Sequence, residues 1–339
     1  MSPFFSRDLG IDLGTERTRL ADAQQVLLEE ATLAVIGWDD DRPKLVASGD
    51  EAAAMLGRVP EGLEVVRPLQ NGVIAYYEIT ESLLRYLLRK TTGASWLFRP
   101  RVMITVPHGV TSVERRAVYE AVLRAGAREA YLIQTPLAAA LGADLPIGSP
   151  AGNMVVTMGA GATQAAVIAL YGIVSAGTLR KGGLALDEAI IGYVRKKYGL
   201  IIGQPTAERV KKEIGAAVPL DEERSMEIQG QDQVSGLPRP VTLTTSEIVE
   251  AVYEPLQEVL ETIRRVMEQS PPELVSDIID RGVALTGGGA LLRGMDRLLT
   301  KELGVPAYLV ERPLQAAAVG AARALTIVPR LKRHLPRIG

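Results

Sequence analysis

Three glycine-rich turns, each preceded by an apolar stretch, carry the residues of this sequence best suited to chemistry. The first contains Gly14 and Thr15, the second spans residues 159–161, and the third spans residues 287–289. Glycine allows a ligand to approach the backbone closely, and the N–H groups of such turns bind phosphate and other anions. The turns therefore indicate a site for a phosphate-bearing ligand, although one such turn alone is weak support because these turns are common.

The second turn lacks the acid that usually accompanies a bound phosphate. The stretch "NMVVTMGAGATQAAVIALYGIV", residues 153–174, has no charged side chain. Thr157 and Ala162 occupy positions where polar side chains that assist the phosphate or its metal would be expected. The pattern raises the question of whether the protein turns over a nucleotide or only holds one.

Composition limits the possible classes of protein. A chain of 339 residues suggests about two domains, and 47% hydrophobic with 23% charged residues is typical of a folded globular protein. The net charge of -2 gives no electrostatic reason to expect a nucleic-acid partner. The absence of cysteine excludes disulfides and thiolate metal sites, and no segment resembles a cleaved signal, so we expect a cytoplasmic protein. The two histidines, His108 and His334, lie far apart in the sequence and are expected to be structural or surface residues.

One long uncharged segment could form either a membrane helix or buried strands. Residues 145–179 contain no charge, but six glycines and two prolines interrupt them. Such interruptions favour buried strands joined by tight turns over a helix that crosses lipid.

The chain contains an internal duplication. "RDLGIDLGTERTRLA" (7–21) and "GNMVVTMGAGATQAA" (152–166) share one plan: an apolar strand, a turn of small residues and a return strand. Apolar residues at three- and four-residue spacing predict amphipathic helices over residues 79–90, 112–127, 186–199 and 244–269. "PRVMITVP" predicts a strand, and residues 283–285 predict a strand that leads through the third turn directly into a helix. Alternating strands and helices indicate an α/β class with mixed sheets.

Taken together, these stretches resemble the MreB family of bacterial actins, within the superfamily of actin, sugar kinases and heat-shock chaperone ATPases. The resemblance rests on "GIDLGT", "RPLQNGVIA", "RVMITVPHGVTSVERRAV", "TPLAAALGADLPIG", "AERVKKEIGAA" and "VALTGGGALLRGMDRLL", and it extends over residues 8–325. It implies an actin-like ATPase fold, with two ribonuclease-H-like domains of mixed sheets flanked by helices around a central nucleotide cleft. The expected domains are residues 1–145, with a small insertion at 33–74, and residues 146–339, with a small insertion at 181–244.

The resemblance also implies a nucleotide site for ATP or ADP with weakly held Mg²⁺. Asp12 would hold the metal through water, and the two hairpin turns would hold the phosphates. The residues implied to contact the nucleotide are Asp12, Gly14, Thr15, Glu16, Arg17, Gly159, Ala160, Gly161, Glu208, Lys211, Gly287, Gly288, Gly289, Ala290 and Leu291. From the residues alone, Glu208 and Lys211 read as an i,i+3 pair on a solvated helix face. Arg17 either meets a phosphate or faces solvent.

Departures from the family pattern concern the groups that act on water and metal. The family has an acid at Thr157, and a glutamate that positions the attacking water at Thr135, which here follows Gln134. Gln70, Asn71 and Leu184 differ as well, replacing a lysine, an aspartate and an acid. Threonine cannot serve as a carboxylate base, and loss of a general base removes about 10²- to 10⁴-fold in rate. We therefore expect weak or absent hydrolysis, with nucleotide binding retained.

The chain's three phenylalanines fall where the resemblance places the membrane-facing edge. Phe4 and Phe5 lie near the start, and Phe98 follows Trp96 and Leu97. Large apolar side chains on short exposed segments favour a bilayer interface, with nearby arginines meeting anionic lipid. The alternative is that "WLF" forms a hydrophobic plug under the neighbouring domain.

The expected function is that of an MreB-like cytoskeletal protein. Such a protein forms membrane-associated filaments at the inner face of the cell membrane, helps determine cell shape and organises cell-wall synthesis. Its partners would be its own copies, lipid, the wall-synthesis machinery and a catalytically intact MreB. The alternative is a non-polymerising actin-fold adaptor that binds nucleotide and recruits membrane machinery. A sugar kinase would need an acid at the position of Thr157 to deprotonate its substrate hydroxyl. The threonine found there disfavours this class of enzyme.

Overall fold

The computed structural model describes residues 8–39, 42–93 and 99–337. Within these ranges, no helix combines the length and apolar character needed to cross a membrane. The predicted membrane residues Phe4, Phe5, Trp96, Leu97 and Phe98 lie outside the described residues.

The first half of the chain contains ten named strands and four helices among the described residues. The strands are β1 (Asp8–Leu13), β2 (Arg17–Ala21), β3 (Val26–Ala31), β4 (Ala34–Asp39), β5 (Arg42–Ser48), β6 (Leu63–Val66), β7 (Leu69–Gln70), β8 (Val73–Ile74), β9 (Arg101–Val106) and β10 (Glu129–Gln134). The helices are α1 (Asp50–Ala54), α2 (Tyr77–Thr92), α3 (Ser112–Ala125) and α4 (Thr135–Gly142).

The second half begins with a strand hairpin like that of the first. Its strands are β11 (Asn153–Met158), β12 (Thr163–Ala169), β13 (Gly172–Leu179), β14 (Leu200–Ile201), β15 (Ser225–Asp232), β16 (Pro238–Thr244), β17 (Val283–Thr286) and β18 (Ala307–Leu309). Its helices are α5 (Gly183–Tyr198), α6 (Gln204–Ile214), α7 (Thr245–Glu268), α8 (Pro272–Arg281), α9 (Met295–Leu303), α10 (Ala316–Thr326) and α11 (Val328–Leu331), with one 3-10 turn at Gly288–Leu291.

Two five-stranded sheets repeat one topology, which confirms the duplication. The first has the order β3-β2-β1-β9-β10 and the second the order β13-β12-β11-β17-β18. In each, an antiparallel meander of three strands is followed by two parallel strands. The mixed sheets flanked by helices confirm the predicted α/β class. Because β1, β9, β11 and β17 are parallel within their sheets, the turns that follow them leave the sheets at equivalent edges.

Burial explains the uncharged segment. Every residue of β11 and β12 is buried, as expected for central strands covered on both faces. Residues 145–179 therefore form sheet strands and connecting turns, as predicted. One hydrophobic cluster joins the halves, since it contains Met103 and Ile133 from the first sheet, Val155 and Ala166 from the second, and Ala321 of α10.

Helices α4 and α10 cross at very short distance between the two sheets. A Cβ atom on Gly142 would lie 1.8 Å from the carbonyl oxygen of Ala316, and one on Gly320 would lie 1.8 Å from that of Ala138. Only glycine permits this separation. The crossing places the first residue of α4 at the junction of the two halves.

The predicted helices agree with the structure, and capping boxes define the starts of two of them, α3 and α7. Thr111 accepts a hydrogen bond from the Glu114 backbone and Glu114 bonds back, so α3 begins at Ser112. Thr244 and Glu247 play the same parts for α7. The helix predicted directly after the third turn is present as a short 3-10 helix and not as an α-helix. One 3-10 turn lies there, and Gly294 in the left-handed region separates it from α9.

Two smaller sheets extend from the halves. Strands β4, β5 and β6 form one, and β14, β15 and β16 form the other. These sheets fall within the insertions expected at 33–74 and 181–244, and the exact domain boundaries remain predictions. Helix α10, although late in the chain, contacts β1 of the first sheet as well as α4.

Candidate functional site

The three predicted turns line one cavity of about 560 Å³ between the halves. The turn after β1, the turn between β11 and β12, and the turn after β17 all reach it. Of the predicted site residues, those that line it are Asp12, Gly14, Thr15, Glu16, Arg17, Thr135, Thr157, Gly159, Ala160, Gly161, Glu208, Lys211, Gly287, Gly288, Gly289 and Leu291. Ala290 is buried beside this lining, and Gln134 does not belong to it.

The two hairpin turns approach each other at one end of the cavity. A Cβ atom on Gly161 would lie 2.4 Å from Thr15 Oγ1, so glycine allows the turns to meet. Thr15 Oγ1 accepts a hydrogen bond from the Gly72 backbone at 3.0 Å and is nearly buried. The Gly159 N–H donates to the Ala162 carbonyl at 2.9 Å, so this N–H maintains the turn. The backbone of this end is held rigidly by its own contacts.

Asp12 is anchored by its neighbour on β9. Thr105 Oγ1 donates to Asp12 Oδ1 at 2.9 Å and accepts from the Leu13 N–H at 3.3 Å. Burial raises the pKa of Asp12 above its usual value, whereas the positive charge of Arg19 and the bond from Thr105 lower it. Asp12 is therefore a half-buried carboxylate opposite a permanent cation.

A row of side chains crosses the first sheet at this level, and the equivalent row in the second sheet is neutral. Asp12 on β1 lies directly opposite Arg19 on β2, which lies opposite Glu29 on β3. In the second sheet, Thr157 on β11 lies opposite Gln164 on β12, which lies opposite Thr178 on β13. Asp12, Arg19, Glu29, Thr157 and Gln164 all line the cavity. Arg19 and Glu29 could not be identified from local sequence, because only the strand register brings them to the cavity.

Arg17 is paired rather than free. Its Nη2 donates to Asp50 Oδ1 at 3.0 Å, and its Nε lies 2.7 Å from Glu29 Oε1. The guanidinium lines the cavity and is about one-third exposed. The guanidinium therefore borders both the cavity and solvent, the two expected environments, while Asp50 and Glu29 hold it in place.

Thr135 and Gln134 point to different places. Thr135 is the first residue of α4 and lines the main cavity. The Gln134 Oε1 atom lies 2.8 Å from His108 Nδ1, and Gln134 lines a second cavity of about 460 Å³. His334 lines that cavity too, so the two histidines, distant in sequence, border the same cavity.

The far end of the cavity contains a buried ion pair. Lys211 Nζ lies 2.7 Å from Asp187 Oδ1 and donates to the Gly183 carbonyl at 2.8 Å, and the Asp187 side chain is fully buried. Burial raises the pKa of Asp187, while Lys211 lowers it. Glu208 instead pairs with Lys212 at 2.5 Å. The reading of Glu208 and Lys211 as a solvated pair is therefore wrong, because Lys211 turns inward to fix α5 against α6.

Apolar side chains face the open cavity near the third turn. Leu291 is 48% exposed and Leu314 is 37% exposed, and both line the cavity beside Pro313. Leucine side chains left uncovered in a concave site suit a planar apolar surface such as a nucleobase. Pro313 and Leu314 were missed by the sequence analysis because they lie outside any glycine turn.

The carboxylates of the cavity decide how it could hold a metal. They are Asp12, Glu16, Glu29 and Glu208. Glu29 is shared by two arginines, Glu208 pairs with Lys212, and Glu16 lies 3.9 Å from Arg67. No group of three or more metal-binding side chains occurs among residues 8–39, 42–93 and 99–337. Among these four carboxylates of the described residues, Asp12 alone has no ion pair within 4 Å, so the donor set would offer Mg²⁺ one carboxylate through its water shell and would hold the ion weakly.

Glu16 also lines the cavity, and burial and neighbouring charges both shift its pKa. Burial raises the pKa of Glu16, the charge of Glu208 raises it further, and Arg67 lowers it. Glu16 gives the cavity wall an acid whose charge is partly offset by Arg67.

Comparisons with known proteins agree with this arrangement. A family model described as MreB/Mbl protein matches residues 6–333. The cell shape-determining protein MreB of Escherichia coli (strain K12) is 47% identical over 328 residues, covering 96% of this chain and 94% of that protein. The cell shape-determining protein Mbl of Bacillus cereus (strain ATCC 10987 / NRS 248) is 41% identical, covering 98% of this chain and all of that protein.

A solved structure shares the whole fold. The crystal structure of MreB5 of Spiroplasma citri bound to ADP superposes with a TM-score of 0.88 at 30% identity, covering 96% of this chain and 97% of that one. The same protein bound to AMPPNP gives the same TM-score at 31% identity. With the duplicated sheets, the cavity that the three turns line and a family match over nearly the full length, this chain belongs to the MreB/Mbl family of actin-like proteins.

Proposed function

We propose that this protein binds ATP and ADP in the cavity between its two halves. The observation that carries the proposal is that three separate turns close one cavity, with hydroxyls and charges at one end and apolar walls at the other. Family membership supports it, since MreB5 of Spiroplasma citri binds ADP and AMPPNP. Asp12, Thr15 and residues 159–161 would hold the phosphates and a weakly bound Mg²⁺. Lys211, Leu291 and Leu314 would hold the adenosine.

We further propose that nucleotide hydrolysis by this chain is weak. Thr135 and Thr157 line the cavity at positions where an acid would act on water or metal, and both side chains are neutral hydroxyls. Gln134, the neighbouring candidate, is engaged with His108. A hydroxyl can donate a hydrogen bond to water but cannot accept its proton at neutral pH.

We propose that the protein assembles into filaments at the inner face of the cell membrane and helps determine cell shape. Its close relatives are cell shape-determining proteins, which supports a role in organising cell-wall synthesis. Its partners would be copies of itself, membrane lipid, the wall-synthesis machinery and a catalytically intact relative. Phe4, Phe5, Trp96, Leu97 and Phe98 are the proposed membrane contacts.

The neutral side chains of Thr135 and Thr157 also favour a second function, that of a non-polymerising adaptor that holds nucleotide and recruits membrane machinery. Sedimentation of the purified protein with and without ATP, followed by negative-stain microscopy, distinguishes the two. Pelleted filaments support the cytoskeletal role. Nucleotide binding by calorimetry without any pelleted polymer, alone or with a catalytically intact relative, supports the adaptor. Failure to bind ATP or ADP overturns both.

A further inference from the structure

The phosphate end of the cavity contains a cation of its own. Arg19 lies on β2 between Asp12 and Glu29, directly opposite each in the strand register. Its Nε donates to Glu29 Oε2 at 2.9 Å and its Nη2 to Glu29 Oε1 at 3.2 Å. Its side chain is only 12% exposed, and the residue lines the cavity. The charge is therefore held at a defined position by the sheet.

The guanidinium has capacity for a further anion. It carries five N–H donors, of which Glu29 receives two, and the other three make no hydrogen bond to the residues that the structure describes. Glu29 also lies 2.7 Å from Arg17, so one carboxylate is shared by two guanidinium groups. Arginine stays charged at any working pH, and its planar fork matches phosphate oxygens.

The position of Arg19 opposes a divalent ion. Arg19 lies directly opposite Asp12 on the neighbouring antiparallel strand. Burial raises the pKa of Asp12 and the charge of Arg19 lowers it, so a metal beside Asp12 would experience the same positive charge. Two positive charges beside one carboxylate repel each other. The second sheet offers no compensating acid, because its equivalent row consists of Thr157, Gln164 and Thr178.

We propose that Arg19 is the resident counter-ion of the nucleotide phosphates, so that this chain binds ATP and ADP without requiring a divalent metal. The inference rests on the proposed nucleotide site and concerns how that site neutralises phosphate charge. Asp12 and Glu29 orient the guanidinium, and the phosphate oxygens complete its donors.

The test is calorimetric titration of the full chain with ATP, once with Mg²⁺ and once with EDTA. We expect the dissociation constant of the wild type to change by less than about threefold between the two conditions. Arg19→Met should weaken binding in EDTA by about 10- to 100-fold, the usual effect of losing a charged hydrogen-bond partner. Arg19→Lys keeps the charge but loses the planar fork of donors. Its affinity for ATP in EDTA should lie between those of the wild type and Arg19→Met.

Two further variants complete the design. Arg116→Gln is the matched control, because Arg116 lies exposed on α3, outside the cavity, and pairs with Glu120, and it should bind like the wild type. Thr157→Asp adds the absent acid and should make binding stronger with Mg²⁺ than with EDTA. Circular dichroism and thermal melting of each variant establish that it is folded.

Each outcome decides one proposal. Wild-type binding that is present with Mg²⁺ and lost in EDTA overturns the role of Arg19 and leaves the nucleotide site standing. The same conclusion follows if a folded Arg19→Met binds in EDTA as well as the wild type. Absence of binding under both conditions overturns the nucleotide site itself.

Discussion

At the scale of single residues, neighbouring side chains fix two charged groups of the cavity, and the two positions proposed to act on water and metal carry no acid. Asp12 is fixed by Thr105, and Lys211 is fixed by Asp187. Thr135 and Thr157 offer hydroxyls only. Nucleotide binding depends on many contacts, whereas proton transfer depends on one correctly placed base. Without the acids, hydrolysis should therefore be weakened more than binding.

Restoring the acids should raise hydrolysis. We expect the double substitution Thr135→Glu with Thr157→Asp to increase phosphate release from ATP by up to about 10²- to 10⁴-fold, the usual contribution of a general base. A malachite-green assay measures it. Thr242→Glu, on the exposed face of β16, is the control and should leave the rate unchanged. A wild-type rate already equal to that of a relative with both acids would contradict the proposed weak hydrolysis.

The ion pair between Lys211 and Asp187 should contribute strongly to stability. Lys211→Met leaves the fully buried Asp187 without its cation, and we expect a loss of about 3 kcal/mol in the free energy of unfolding. Urea unfolding measures it, and Lys211→Met combined with Asp187→Asn should recover part of the loss.

The penalty of Lys211→Met should depend on pH in a defined direction. Burial raises the pKa of Asp187 and Lys211 lowers it, so removal of the lysine leaves a pKa raised further. A carboxyl whose pKa is higher in the folded than in the unfolded state destabilises the fold as pH rises above the unfolded value, near 4. The variant should therefore lose less stability at pH 5 than at pH 8. An equal loss at both values would show that Asp187 stays ionised throughout.

At the scale of elements, the crossing of α4 and α10 links the cavity to the core. Thr135 begins α4, and α4 packs on α10 through Gly142 and Gly320. Helix α10 also lies on β1, the strand that ends at the first turn. A change in the helix separation would thus shift Thr135 and the first turn together.

Gly320→Ala should destabilise the protein. The added Cβ would lie 1.8 Å from the Ala138 carbonyl oxygen and 2.6 Å from the Gly142 nitrogen, so the helices must separate, at a cost of about 1–3 kcal/mol or more. Gly192→Ala in α5 is the matched control, because no atom lies within 4 Å of its added Cβ, and it should stabilise the helix by up to about 1 kcal/mol. Thermal unfolding of both variants tests this. Similar changes in melting temperature would contradict the close crossing.

At the scale of the whole molecule, the proposed membrane contacts act through assembly. Three or four large apolar side chains inserted at about 1.5–3 kcal/mol each give roughly 5–12 kcal/mol before the entropy of tethering is subtracted. One subunit would bind marginally. In a filament, each bound subunit holds its neighbours at high effective concentration near the surface.

Membrane binding should therefore depend steeply on polymerisation. We expect liposome flotation of the wild type to fall sharply in Phe4→Ser with Phe5→Ser, and in Trp96→Ser with Phe98→Ser, while filaments still form. Variants that unfold or aggregate would indicate that "WLF" is part of the core. Equal flotation of all variants would exclude both segments and leave the basic residues 330–337 as the anchor.

The sequence by itself determined the turns, the class of fold and the family. Gly14, Gly159 and Gly287 follow apolar strands, and the pattern of strand, turn and strand is local, so it can be read without knowing the partners. The absence of acids at Thr135 and Thr157 is equally visible there. The 3-10 turn after Gly287 was not, because Gly294 interrupts a stretch with helical periodicity.

Only the tertiary structure decided which other side chains belong to the site. Arg19 and Glu29 reach the cavity because the registers of β1, β2 and β3 align them with Asp12. Lys211 turns inward because Asp187, on another helix, is buried beside it. Gln134 meets His108 instead of the cavity. Each of these contacts joins residues that are distant along the chain or on different strands, and local spacing cannot specify a partner that only folding brings near.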